Sequence, residues 1–367
     1  MSTVLSFQEC LDKTSGQRRH LLLGNGFSIA LFSERFKYES LLKQAIEDGI
    51  FEEHPQIPEA FEVLGTTDFE VVLQALIGMS ALIHLYGDEG DAKAAIEADV
   101  ERLKTALVEA LAGRHPARLS EISEDQFECA RTFLRNFAGK ALDNKGKIYS
   151  LNYDLILYWT LMHNPEPEWT AEGLVQPDKS LFIGHDDGFR NPEDPNADYV
   201  AWDVKGGSNS QNVHYLHGAL HLFDAGIELQ KYCWERAGSI PLMDQIRTAL
   251  DDQRYPVFVS EGHSDSKLEK IMHSGYLLRS YKSFAEVCNK PQNNLFIFGH
   301  SLADSDNHIL KLIESGRIAR VFISIFGDPS EEWNKPIVKR VVDMKARRDS
   351  SPLNVYFFDA QSANVWG

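Results

Sequence analysis

Side chains able to hold phosphate or move protons recur at five places in the chain, each directly after a short apolar run. Gly24-Asn25-Gly26-Phe27-Ser28 follows the histidine and three leucines of 20–23. Asn152-Tyr153-Asp154 follows 148–151, and His217-Gly218 follows 213–216. Ser260-Glu261-Gly262-His263 follows 257–259. Gly299-His300-Ser301-Leu302 follows 295–298, with Asp304, Asp306 and His308 just behind. Glycines let a backbone approach a ligand closely, and the unpaired amides of a first helical turn suit an anion. An imidazole titrates near neutrality and suits general base work.

Each place also has a plain structural account. Gly24-Asn25-Gly26 could be a tight strand-to-helix turn, and Asn152 and Asp154 could cap the helix that follows them. Asp304, Asp306 and His308 resemble metal ligands, but Asp304 or Ser305 as an N-cap explains most of them, so no metal is expected. His185-Asp186-Asp187 reads more simply as a solvated turn in a glycine-rich stretch. What favours chemistry is convergence. Open parallel sheets bind ligands at the carboxyl ends of their strands, and that is where these groups gather.

The elements that must position them are legible as a pattern. Strand signals stand at 20–23, 147–151, 213–217, 257–260, 295–299, 320–326 and 354–358, several of them apolar on both faces and separated by helical stretches. That predicts an α/β fold, a Rossmann-like parallel sheet with helices on both faces. A helix is expected over 38–50. Helical periodicity then fills 58–144, with capping-box spacing at Thr67/Glu70 and Ser123/Gln126. The expected organisation is one domain over 1–367, carrying a helical insertion at 52–144 and a loop-rich insertion at 164–212.

Composition narrows the partners. With 37 Lys and Arg against 54 Asp and Glu, the net charge of −17 argues against a nucleic-acid binder. A small anionic ligand in a local pocket stays open. Cys10, Cys129, Cys233 and Cys288 form no Cys-x-x-Cys pair, which suggests free thiols in a reducing cytoplasm. No signal peptide is read at the N-terminus, and no apolar run is read as approaching the ~18 residues of a membrane span. The expectation is a cytoplasmic protein without a membrane partner.

Taken in order, Gly24/Gly26/Ser28, Asn152/Asp154, His217/Gly218 and Gly299/Ser301/Leu302 resemble the motifs of the sirtuin-like superfamily. The resemblance is to its zinc-less branch, near the AbiH-type abortive-infection proteins and the sirtuin-like effectors of antiphage systems. Segments 257–271, 295–313 and 357–366 are also similar to an uncharacterised bacterial family of sirtuin-like proteins. The chain lacks the four zinc-binding cysteines of sirtuin deacylases, which counts against deacylation. The third glycine of a dinucleotide fingerprint is also missing, which disfavours hydride transfer.

The resemblance implies NAD at the carboxyl edge, as substrate or ligand. Its pyrophosphate would lie on the Gly24, Asn25, Gly26, Phe27 and Ser28 loop, with Gly299, His300 and Ser301 on the adenosine side. Asn152 would hold the ribose hydroxyls or the attacking water, Asp154 would meet the carboxamide, and His217 would be the general base. Arg35, Phe36 and Tyr38 would stand near the nicotinamide end, where core packing accounts for them equally well. The implied activity is NAD hydrolysis to nicotinamide and ADP-ribose, in bacterial antiphage defence. The alternative is a module that binds or senses the nucleotide without turnover. A homo-oligomer or an activating partner also stays open.

Overall fold

The computed structural model describes residues 4–86, 90–164, 168–170, 173–175, 177, 181–192, 194, 196–203, 210–233, 240–348 and 351–367. Six strands form one sheet: β1 Arg19–Leu23, β2 Ile148–Ser150, β3 Val213–Tyr215, β4 Asn294–Phe298, β5 Arg320–Ile325 and β6 Asn354–Asp359. Their order is β6-β5-β4-β1-β2-β3, and every neighbouring pair is parallel. The chain builds outward from β1 through β2 to β3, then returns to β1's other side with β4. The order therefore reverses between β1 and β4, which is where such sheets open a crevice.

Successive residues of the central strands feed opposite faces. Leu21, Leu23, Phe296, Phe298 and Phe322 join one apolar cluster, while Leu22, Leu295, Ile297, Val321 and Ile323 join another. The helix Glu124–Ala138 covers the first face, where the Phe133 and Phe298 rings are 5.2 Å apart. The helix Gly275–Cys288 covers the second, with Phe284 edge-on to Tyr149 at 5.0 Å. Strands buried on both sides, as the continuous apolar runs require, make this a Rossmann-like α/β fold.

Several expectations change. The 257–260 run is no sheet strand. It pairs with the turn after β3, through Val259 N–H to the His217 carbonyl at 2.9 Å and Ala219 N–H to the Val257 carbonyl at 3.1 Å. Part of the loop-rich 164–212 stretch is sheet. Phe189–Arg190 and Tyr199–Trp202 join Leu222–Asp224 and Leu229–Tyr232 in a four-stranded antiparallel sheet, and Glu168–Thr170 pairs with Gly173–Val175. Strands of two to four residues are too short to show an alternating pattern.

Between β1 and β2 run the helices Gln56–Leu64, Phe69–Leu82, Asp91–Arg114 and Glu124–Ala138. Ser123 and Gln126 close the expected capping box, but Asp68, not Thr67, caps the second of these helices by accepting from Glu70 N–H. Phe69–Tyr86 reaches a mean hydropathy of 1.6 over 18 residues, so one stretch does attain the length and apolarity of a membrane span. Phe69, Val72, Leu73 and Leu76 are buried in the core, and Glu70 is ion-paired to Lys267.

Candidate functional site

Strand pairing sets the level at which the functional side chains emerge. Leu23 lies opposite both Phe298 and Ser150, and Ser150 lies opposite Tyr215. Two residues beyond each of these stand Asn25, His300, Asn152 and His217. Four polar residues thus leave four neighbouring strands at one height on the carboxyl edge.

At the reversal point the loops after β1 and β4 are pressed together. A Cβ on Gly24 would sit 2.6 Å from the Gly299 carbonyl oxygen, and one on Gly26 would sit 2.5 Å from the Gly299 Cα. Gly26 N–H donates to that carbonyl at 2.8 Å, Phe27 N–H to Gly24, and the Ser28 and Ile29 amides to Asn25. Of the amides expected to cradle a pyrophosphate, those of Gly24, Gly26, Phe27 and Ser28 are therefore already engaged within the protein. The helix they open, Gly26–Leu31, is only six residues long. Asn25 donates its side-chain amide to the Phe36 carbonyl, bracing the loop. Phe27 is core, with its ring 5.0 Å from Trp366 and its carbonyl accepting from Trp366 Nε1 at 2.8 Å.

Ser28, Asn152 and Asp154 meet as one buried group. Ser28 Oγ donates to Asp154 Oδ2 at 2.6 Å and accepts from Asn152 Nδ2 at 3.2 Å. The serine hydroxyl expected to meet a phosphate is therefore committed to a carboxylate. Asp154 Oδ1 accepts from Ile156 N–H at 2.9 Å, although Leu155, not Asp154, is the N-cap of the helix Ile156–Met162. Burial pushes the Asp154 carboxyl up to about 6, against the lowering pull of the Ser28 and Ile156 bonds. Asn152 Oδ1 is buried without a partner among the described residues, the one side-chain atom of the group left to bind something. His115, directly after the helix Asp91–Arg114, holds this turn. Its Nε2 accepts from Leu155 N–H at 3.0 Å, and its Nδ1 donates to the Pro116 carbonyl at 2.9 Å.

A second group surrounds His217. Its Nε2 lies 2.9 Å from His308 Nε2 and 3.9 Å from Asp306 Oδ1. Asp306 Oδ2 meets His300 Nε2 at 3.0 Å, and His300 Nδ1 accepts from Leu302 N–H at 2.8 Å, so His300 donates to the carboxylate. Leu302 sits at φ 56, a left-handed backbone conformation that a buried leucine adopts only under constraint. Lys267, 1% exposed, bridges Asp306 at 3.2 Å and Glu70 at 2.7 Å, joining the helical insertion to the sheet edge. The Lys267 and histidine side chains hold the Asp306 carboxyl well below the usual range against the opposing pull of burial. Desolvation drives His217 well below its ordinary value, so it is neutral at pH 7.

This group overturns the N-cap account of 304–308. Asp304–Asp306 is a turn of 3-10 helix, Asn307–Ser315 follows, and neither start has a side-chain cap. Asp306 faces Lys267 and His300 instead. His217, Asp306 and His308 bring three ligand atoms within 4.8 Å of one another. The two imidazoles, however, have ring centres 5.1 Å apart with both Nε2 atoms lying between them at 2.9 Å, so the nitrogens point at each other. Between the two rings the contact is an Nε2–Nε2 hydrogen bond of 2.9 Å.

The remaining residues stand apart. Ser301 is exposed, and Arg35 pairs with Glu121 at 2.7 Å. Phe36 and Tyr38 pack within aromatic clusters, Phe36 against His115 and Tyr38 against Phe69. Glu261 braces its loop through Lys270 at 2.6 Å. His185-Asp186-Asp187 is ion-paired, with Asp186 to Arg190 and Asp187 to Lys231, and it borders a cavity of about 270 Å³. Lys267 and His115 carried no functional signal in the sequence and Glu70 reads there only as a capping residue, because each lies on a helix or helix end where its residue type is ordinary.

No curated protein matches this chain. Residues 21–366 match the model of a family described as a domain of unknown function, DUF4917, and the chain belongs to that family.

Proposed function

We propose that this member of the family hydrolyses NAD, releasing nicotinamide and ADP-ribose, with the antiphage role that the sirtuin-like resemblance implies. The observation that carries the reading is that Asn152 and His217 each stand two residues beyond a paired end of adjacent parallel strands. One offers a buried carbonyl oxygen without a partner among the described residues, and the other an imidazole kept neutral by desolvation. Cleaving the nicotinamide–ribose bond passes through an oxocarbenium-like state that needs a positioned water and a base more than a strong nucleophile. Asn152 orients the ribose or the water, and His217 takes the water's proton. In this reading Gly24, Gly26 and Gly299 serve by letting two loops touch, and the diphosphate contacts lie elsewhere on the edge.

The second reading is nucleotide binding without turnover; Ser28, Asp154, His217 and Asn152 are 0, 3, 3 and 7% exposed, so under either reading the edge must open to its ligand. Incubating the full chain with NAD and following nicotinamide by chromatography separates the two. Turnover should be abolished by Asn152→Ala and by His217→Ala with the fold retained. Full activity in either variant refutes the assigned roles. No turnover, but heat on titration with NAD or ADP-ribose, leaves the binding reading; no heat with either defeats both.

A further inference from the structure

We infer that His308 is a positioning residue for His217: it accepts the Nε2 proton of His217, and this keeps His217 Nδ1 as the basic nitrogen. The catalytic consequence rests on the NAD reading; the proton arrangement does not.

With His308 Nδ1 assigned as the donor to Ser264 Oγ, the tautomers of the pair follow. Ser264 Oγ accepts from the His308 backbone N–H at 2.7 Å, and His308 Nδ1 lies 3.4 Å from the same oxygen. An Nδ1–H directed at that oxygen leaves His308 Nε2 with a lone pair. The nitrogen facing it at 2.9 Å, His217 Nε2, must then carry a proton, because two opposed lone pairs repel. Among the described residues the side-chain hydrogen bond of His217 is made through Nε2, which leaves Nδ1 as the nitrogen for a ligand. Tyr281 donates to the His308 carbonyl and helps fix the helix start that carries this ring.

Asp306 acts differently. At 3.9 Å its Oδ1 is too far from His217 Nε2 for a hydrogen bond, so its influence is charge alone. The charged and titratable groups facing His217 are Asp306, Lys267, His300 and His308, with the Tyr153 ring stacked 6.4 Å away. In the step, an O–H bond of water breaks and its proton passes to His217 Nδ1. The water oxygen bonds the ribose carbon, and nicotinamide leaves with the electron pair of the broken C–N bond. The imidazolium so formed keeps its Nε2–H on His308, with the Asp306 carboxylate nearby.

Proton–nitrogen NMR correlation of the histidine rings in the full chain tests this. His217 should be the Nε2–H tautomer and His308 the Nδ1–H tautomer. His308→Gln, which retains an acceptor, should preserve the His217 tautomer. His308→Phe should release it and lower kcat for nicotinamide formation ~100-fold with KM unchanged. An Nδ1–H tautomer at His217 in the native chain, or an unchanged His217 in His308→Phe, overturns the proposal. So does one equivalent of zinc that shifts both rings together, the mark of a metal centre. The expected tautomers without NAD turnover would uphold the pair and defeat the NAD reading.

Discussion

The Ser28 hydroxyl donates to Asp154 Oδ2 at 2.6 Å, tying the turn after β1 to the turn after β2. The carboxyl at the centre of this contact is pushed up to about 6 by burial, from an ordinary 3.8. Folding therefore favours the protonated acid. That contribution is fully present below the unfolded value and is lost as pH rises through 6. At pH 7.5 the buried carboxylate forfeits on the order of 2–3 kcal/mol relative to its protonated form. Asp154→Asn stays neutral, and its amide oxygen can accept from Ile156 N–H while its Nδ2 meets Ser28 Oγ with the serine now accepting. Its thermal stability relative to the native chain should be greatest at pH 7.5 and decline toward pH 5. A difference independent of pH would refute the shift.

Acid should destabilise the chain as a whole by the opposite linkage. Burial pushes His20, His115 and His214 each down to about 3. A depressed imidazole contributes stability that is complete above its unfolded value of 6.5 and is lost as pH falls toward 3. By pH 5 each group forfeits about 2 kcal/mol, and three together reach about 6, comparable with the whole stability of many domains. The expected result is a steep fall in the urea midpoint between pH 7.5 and pH 5. A flat profile over that range would show these rings to be protonated in the folded state.

The sequence exposed the sheet because β1, β4 and β5 are buried on both faces, which demands uninterrupted apolar runs bounded by glycine and polar residues. By the same logic it exposed Ser28, Asn152 and Asp154, which follow their strands directly. Val257 and Phe258 carry an identical apolar signal yet back the turn after β3, since strand composition does not specify a pairing partner. The His217 group was half legible. Asp306 and His308 were noticed, but their partners Glu70 and Lys267 lie about two hundred residues apart in sequence, and only the packed helices bring them together. Asp304 or Ser305 reads as a cap by residue type, but a cap depends on backbone geometry, and composition does not set that.

Gly299 should tolerate substitution far less well than Gly65. Both have positive φ, +69 and +62, so either alanine carries left-handed strain of about 1–2 kcal/mol. A Cβ at Gly65 meets nothing within 4 Å, whereas one at Gly299 lies 2.7 Å from the Gly26 backbone. Gly299→Ala must push the two loops apart and break the Gly26 N–H bond to its carbonyl. Its loss should exceed that of Gly65→Ala by at least ~2 kcal/mol. Guanidinium midpoints measure both. Equal losses would mean that the loops after β1 and β4 are not clamped.

Lys267 should be the costliest single charge to remove. Its ammonium serves two carboxylates, Glu70 at 2.7 Å on the insertion helix and Asp306 at 3.2 Å beside His217. Lys267→Met keeps most of the buried stem but leaves both acids without their cation, and breaking a buried pair by removing one partner costs about 3–5 kcal/mol. The double variant Lys267→Met/Glu70→Gln removes one stranded charge and should recover part of that loss, while Glu70→Gln alone should cost less than Lys267→Met. Denaturation of all three variants against the native chain gives the cycle. Strict additivity of the two single losses would contradict a shared ion pair and sever the insertion helix from the His217 site.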